Sequence, residues 1–157
     1  MTLSRFSDLI EVGCDEAGRG SLCGPVVAAA VILTKDFQNE FLNDSKKISL
    51  KKRIELSKII QNESLACEIG IVNASEIDNI NILNASIKAM HNALDKIKSP
   101  FEIILVDGPH FKKYKKFNHE CIIRGDSKNF AIAAASIIAK TYRDNLMLEL
   151  HEKYPKY

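Results

Sequence analysis

The sequence predicts an α/β protein whose helices pack on a mixed β-sheet, and three observations lead there. Five apolar stretches of strand length alternate with helical patterns in an order that does not suit a doubly wound sheet. Residues 25–33 are apolar throughout, as a strand covered on both faces must be. A Gly-rich turn over 18–24 joins that strand to the one before it, which makes the two antiparallel neighbours.

Residues 9–14 read as the first strand, ending at the acidic pair Asp15-Glu16, and 25–33 as the second. Ser49 caps a helix through about Gln61, with Ile54, Leu56, Ile59 and Ile60 on its apolar side. Residues 65–72 form a third strand. A short helix starts at Ser75, and a longer one covers 82–97 until Ser99-Pro100 turns the chain. Residues 101–106 form a strand ending at Asp107-Gly108, and 120–123 a short fifth strand. A long helix over 130–154 is Ala-rich at first and charged later.

The 157 residues fit one domain, 1–157, large enough to bury a core without disulfides. With 46% hydrophobic and 27% charged residues the composition is that of a globular protein. The net charge of +2 neither requires nor excludes a nucleic-acid partner, so the placement of charge has to decide. Cys14, Cys23, Cys67 and Cys121 show no C-x-x-C spacing, which argues against a zinc knuckle or a thioredoxin-like site. They read as reduced thiols of a cytoplasmic protein, with Cys14 and Cys23 serving packing. Residues 1–8 lack the basic start and apolar stretch of a secretory leader, and no apolar run reaches the ~18 residues of a membrane span.

Three acidic positions share a place, each just after a predicted strand: Asp15-Glu16, Asp107 and Asp126. If the first and fourth strands are parallel neighbours, Asp15 and Asp107 stand side by side at the carboxyl edge, where α/β sheets collect ligands. Clustered carboxylates repel unless a cation sits among them, and hard divalent ions with oxygen ligands answer that need. Two such ions ~3.5–4 Å apart clamp the attacking and leaving oxygens of a phosphodiester. Cysteine and histidine do not recur at these strand ends, so magnesium or manganese suits the pattern better than zinc. The plainer reading makes each acid a helix cap or solvated turn, and Asp126 in Gly-Asp-Ser-Lys is a good cap in either case.

Gly18-Arg19-Gly20 is not a dinucleotide fingerprint, because the next element, from Pro25 on, is strand-like rather than helical. Its glycines let backbone approach a sugar or phosphate, and Arg19 offers a planar fork to phosphate. Lys46 and Lys47 reach a scissile phosphate or belong to a solvated loop. Residues 110–117 interleave aromatics with lysines, which suits either a nucleic-acid backbone surface or a solvated loop with aromatic anchors. Of the scattered histidines, His110 alone lies near an acidic site, at Asp107.

Asp15-Glu16-Ala17-Gly18-Arg19-Gly20, then Gly24-Pro25-Val26-Val27-Ala28-Ala29-Ala30, resembles the signature of ribonuclease HII, the type 2 ribonucleases H. So do Asp44-Ser45-Lys46-Lys47, Val106-Asp107-Gly108, Gly125-Asp126-Ser127-Lys128, the Ala-rich stretch 132–140 and Arg143-Asp144, in the family's order and over nearly the whole chain. The resemblance implies the ribonuclease H-like fold, a five-stranded mixed sheet flanked by helices. It implies a monomeric endonuclease acting on RNA–DNA hybrids and on ribonucleotides embedded in duplex DNA, leaving 3′-hydroxyl and 5′-phosphate ends. Asp15, Glu16, Asp107 and Asp126 become ligands of two Mn²⁺ or Mg²⁺ ions. Gly18, Arg19 and Gly20 become readers of the ribose 2′-hydroxyl, and Lys46 a neighbour of the scissile phosphate.

In the family a further segment with a Gly-Tyr-Gly-type motif comes after the position of Tyr157, and its tyrosine stacks beside the ribonucleotide junction. Its absence from this sequence predicts weaker junction preference. A competing expectation is a shortened relative that binds hybrid without efficient cleavage. A third is a relative that cuts branched DNA, against which a 2′-hydroxyl reader argues.

Overall fold

The computed structural model describes residues 2–19, 24–43 and 47–154. Five strands, β1 Glu11–Ala17, β2 Val26–Ile32, β3 Ala66–Val72, β4 Ile103–Asp107 and β5 Asn118–Ile122, form one sheet in the order β3-β2-β1-β4-β5. β2 is antiparallel to β1 and β3, while β1–β4 and β4–β5 are parallel, so the sheet is mixed as the sequence predicts.

The helices are α1 Glu40–Asn43, α2 Leu50–Glu63, α3 Ala74–Ile80, α4 Ile82–Lys96 and α5 Phe130–Lys153. α4 covers one sheet face, where Ala85, Ala89, Met90, Ala93 and Leu94 meet Val12, Cys14, Ile104 and Val106. α5, supported by α2, covers the other, where Ala133–Ala135, Ile137 and Ile138 meet Ala29, Val31, Leu56 and Ile60. β2 is buried along its whole length, as its unbroken apolar run requires. Ser49 does cap α2, its side chain accepting from the Lys52 N–H. Leu56 and Ile60 of that helix are buried, but Ile54 is turned outward beside Leu50 and Leu148.

Two glycines let helices lie close on the sheet. A Cβ on Gly13 would come within 2.2 Å of the Ala131 carbonyl carbon, and one on Gly70 within 2.0 Å of the Ala89 oxygen. Gly13 thereby lets the start of α5 rest directly on the middle of β1. Glu11, on the same face, accepts from the Ser7 backbone N–H and hydroxyl and from the Asn129 amide, so this buried acid ties β1 to the residue that caps α5.

Among the described residues Cys14, Cys67 and Cys121 are free thiols. Burial, with Asp15 and Glu16 adding, pushes the Cys14 thiol up, and burial raises Cys67 to about 11. Neither suits a nucleophile, which supports packing for Cys14. Cys23 lies outside the described residues. No helix among the described residues is long and apolar enough to cross a membrane.

Candidate metal-binding carboxylate site

The first correction concerns β1. Asp15 and Glu16 do not come after the strand but lie inside it, because the ladder to β2 continues through Asp15↔Ala29, Glu16↔Ala28 and Ala17↔Val27. Alternation then turns the two acids to opposite faces. Val12 and Cys14 pack toward α4 and Gly13 toward α5, so Asp15 faces the α5 side and Glu16 the α4 side at the strand's end.

Asp107 closes β4 on the same face as Asp15. Cys14 pairs with Val106, so Asp15 and Asp107 are neighbours across the parallel ladder, as the sequence predicts. Asp126 sits in a short 3-10 helix, Gly125–Ser127, and its backbone N–H donates to Asp107 Oδ1 at 3.3 Å. The second correction concerns its capping role: the cap of α5 is Asn129, which accepts from the Ile132 N–H. Asp126 lies before that cap, in its own short 3-10 helix. Gly125 allows the approach, since a Cβ there would press on Ile132 and come within 3.4 Å of Asp107 Oδ1.

The electrostatics result from this crowding. Asp15 is 5% exposed; its carboxyl is held well above the usual range by burial, then by Asp107 and by Glu16. Glu16 is raised chiefly by burial, with the Asp15 side chain and Arg19 opposing. Asp107 is raised by burial and by Asp126. A cation beside the group is Arg19, whose Nη1 lies 3.8 Å from Glu16 Oε1, and that guanidinium is 41% exposed. Glu16 Oε2 is buried with no hydrogen-bond partner.

These features fit a hard divalent cation. The donors are all carboxylate oxygens, burial and the charge of Asp107 raise the Asp15 carboxyl, and the buried Glu16 Oε2 lacks a hydrogen-bond partner. Among the described residues no three histidine, cysteine, aspartate or glutamate side chains form a closed ligand set. β1 turns Glu16 to the opposite face from Asp15.

Arg143 is a residue whose role sequence reading does not reveal. Its Nε donates to the Pro25 carbonyl at 3.0 Å, and its side chain fills the space beside Gly18 and Gly24. Both glycines have positive φ, +98° and +86°, and a Cβ on Gly18 would stand 2.2 Å from Arg143 Nε. Arg143 thus bonds the Pro25 carbonyl and lies beside both Gly18 and Gly24. The sequence marks Arg143-Asp144 by its resemblance to the family but does not show that the side chain reaches Pro25. Gly20 and Lys46 lie outside the described residues; Lys47 and His110 are exposed, and no described contact ties His110 to Asp107. The aromatics of 110–117 face inward: Tyr114 is buried, and Phe111 and Phe117 pack on the core. Their rings are therefore anchors and not a stacking platform for bases.

Solved structures share this architecture. Ribonuclease H2 from Pyrococcus horikoshii superposes with a TM-score of 0.79 at 23% identity, covering 92% of this chain and 76% of that one. A ribonuclease HII from Archaeoglobus fulgidus, solved in complex with PCNA, superposes at 0.80 with 28% identity, covering 93% and 78%. The fold is of the ribonuclease H-like class. The model of the Ribonuclease HII family matches residues 12–157, and the Ribonuclease HII of Bacteroides fragilis is 56% identical over 150 residues, covering 96% of this chain and 75% of that protein. That of Porphyromonas gingivalis is 52% identical over 159 residues, covering 100% and 79%. The chain belongs to the ribonuclease HII family, metal-dependent endoribonucleases that cleave RNA in RNA–DNA hybrids.

Proposed function

We propose that this chain hydrolyses the RNA strand of hybrids and single ribonucleotides embedded in duplex DNA, with Asp15, Glu16, Asp107 and Asp126 holding two divalent ions, Mg²⁺ or Mn²⁺. The observation that carries the reading is that Asp15 and Asp107 are ladder neighbours on one sheet face, with the Asp126 backbone N–H bonded to Asp107 and the Asp15 and Asp107 carboxyls raised by burial and by their acidic neighbours. When bound, such ions supply a water acidic enough to attack phosphorus and a counter-charge for the departing 3′-oxygen.

The protein's own part is placement. Asp15 and Asp107 are set by the β1–β4 register, and Asp126 by its backbone bond to Asp107. Gly18, Arg19 and Gly20 bring backbone and guanidinium to the ribose, where the 2′-hydroxyl separates RNA from DNA. Lys46 adds positive charge near the scissile phosphate. Water adds to phosphorus, the bond from phosphorus to the 3′-oxygen breaks, and the ends are a 3′-hydroxyl and a 5′-phosphate. The described residues act as one catalytic domain of a monomeric, cytoplasmic protein that clears ribonucleotides during DNA replication and repair.

The test is a panel of labelled duplexes with Mn²⁺ or Mg²⁺: full hybrid, DNA with one ribonucleotide, and all-DNA. The first two are expected to be cut, with 3′-hydroxyl ends, at least ~10²-fold faster than the third, as expected when a site built to bond a hydroxyl meets a substrate lacking it. Equal cleavage of all three would overturn the 2′-hydroxyl reading.

A further inference from the structure

One cavity lies against α4, apart from the carboxylates. Its volume is about 330 Å³, and it is lined by Ile80, Asn84, Ile87, Lys88, His91 and Lys112. It belongs to the same end of the molecule as the carboxylates. β3 ends at Val72, which pairs with Val26, and Val27 pairs with Ala17 at the end of β1. α3 leaves from that edge, so Asn84 and Lys88 occupy the first two turns of α4 beside it. Lys112 comes five residues after Asp107, which span at most ~18 Å of extended chain.

The lysine is held in place rather than left to wave in solvent. His91 Nε2 bonds the Lys112 carbonyl at 2.9 Å, and its ring meets the edges of Phe111 and Tyr114 at 5.1 and 5.2 Å. Tyr114 is buried and donates to Asp95 at 2.7 Å. The Lys112 ammonium donates to Asn84 Oδ1 at 3.0 Å, a neutral acceptor. Lys88 is paired with Glu76. The contacts described thus set two lysine ammonium groups at the cavity against one carboxylate, Glu76.

The geometry points to a phosphate subsite: the cavity takes a backbone phosphodiester of the duplex bound at the carboxylate edge, with Lys112 as its principal cation and Lys88 beside it. The identity of the duplex rests on the function proposed above. Lysine binds phosphate as a point charge and reads no sequence, so the subsite adds affinity and orientation without changing which bond is cut. It also gives a purpose to the lysine-bearing run 110–117, whose rings face the core.

The experiment is fluorescence anisotropy with a labelled DNA duplex carrying one ribonucleotide, in calcium buffer over a range of salt, for parent, Lys112→Ala, Lys112→Glu and Lys112→Arg. Lys98→Ala, just before β4 at the opposite sheet edge, is the matched control. Lys112→Ala is expected to raise Kd about 3- to 10-fold and to reduce the salt slope by about one, the signature of one lost phosphate contact. Lys112→Glu weakens binding further, Lys112→Arg retains affinity and slope, Lys98→Ala matches the parent, and kcat at saturating duplex changes less than about 2-fold. Parental Kd and slope in Lys112→Glu overturn the subsite, as does an equal loss in Lys98→Ala. A parent that binds the duplex as described but cleaves no ribonucleotide overturns the catalytic proposal and leaves the subsite standing. A parent that binds no duplex overturns both.

Discussion

Asp15→Asn is expected to lower metal-dependent cleavage at least ~10²-fold while making the metal-free protein more stable at pH 7.5. The activity loss comes from removing a carboxylate at the centre of the cluster, where even partners one step from a metal alter affinity or activity ~10- to 100-fold. Burial, Asp107 and Glu16 raise the Asp15 carboxyl above its ordinary value. The folded protein then binds this proton more tightly than the unfolded chain, so the group's contribution to stability falls as pH rises from the ordinary carboxylate range through the raised value. At pH 7.5, above the ordinary carboxylate range, that penalty is present. Asparagine removes it and keeps the oxygen that accepts from the Glu16 N–H at 2.8 Å. Melting curves in a chelator should show Asp15→Asn a few degrees above the parent at pH 7.5, with the difference shrinking toward acid pH. A lower midpoint at pH 7.5 would mean that Asp15 is a structural acid.

Gly13→Ala is the largest expected loss of stability. Its new Cβ would meet the Ala131 carbonyl carbon at 2.2 Å, the Ile132 nitrogen at 2.4 Å and the Ala131 oxygen at 2.5 Å. These are backbone atoms that no rotamer change can clear, so α5 must lift from β1. Overpacking of this kind costs roughly 3 kcal/mol or more, which in a domain of this size lowers the midpoint by about 6–12 °C. The displaced segment comes directly after the turn carrying Asp126, so activity should fall even in the fraction that stays folded. Gly108→Ala is the informative contrast: its φ is +93°, but nothing lies within 4 Å of the added Cβ. It should cost only about 1–2 kcal/mol of backbone strain.

How much of this is legible in the sequence depends on the kind of side chain involved. β2 announces itself because every residue is apolar, and β4 because it ends at an acid next to a glycine. The β1–β4 adjacency is suggested by the shared placement of Asp15 and Asp107, and the register bears it out. The bounds of β1 differ from the sequence expectation for a physical reason. Its α5 face carries Glu11, Gly13, Asp15 and Ala17, none of them large and apolar, because it packs on helix backbone and binds an acid. Burial without bulk leaves no hydrophobic pattern to read. Asp126 suits a cap by composition, but Asn129 directly precedes α5 and accepts from the Ile132 N–H, while Asp126 belongs to a separate 3-10 helix whose backbone bonds Asp107. Arg143 and Glu11 act across 118 residues of sequence, through contacts that no local pattern encodes.

The most direct measurement of the central claim is thermal unfolding during titration with Mn²⁺, for the parent and Asp15→Asn side by side at pH 7.5. A ligand that binds only the folded state raises the midpoint by mass action. If the carboxylates at the sheet edge hold the ion, the parent midpoint climbs with Mn²⁺ to or beyond that of the variant, which stays nearly flat. Equal climbs in both proteins, or a parent that does not respond, would contradict a metal site centred on Asp15.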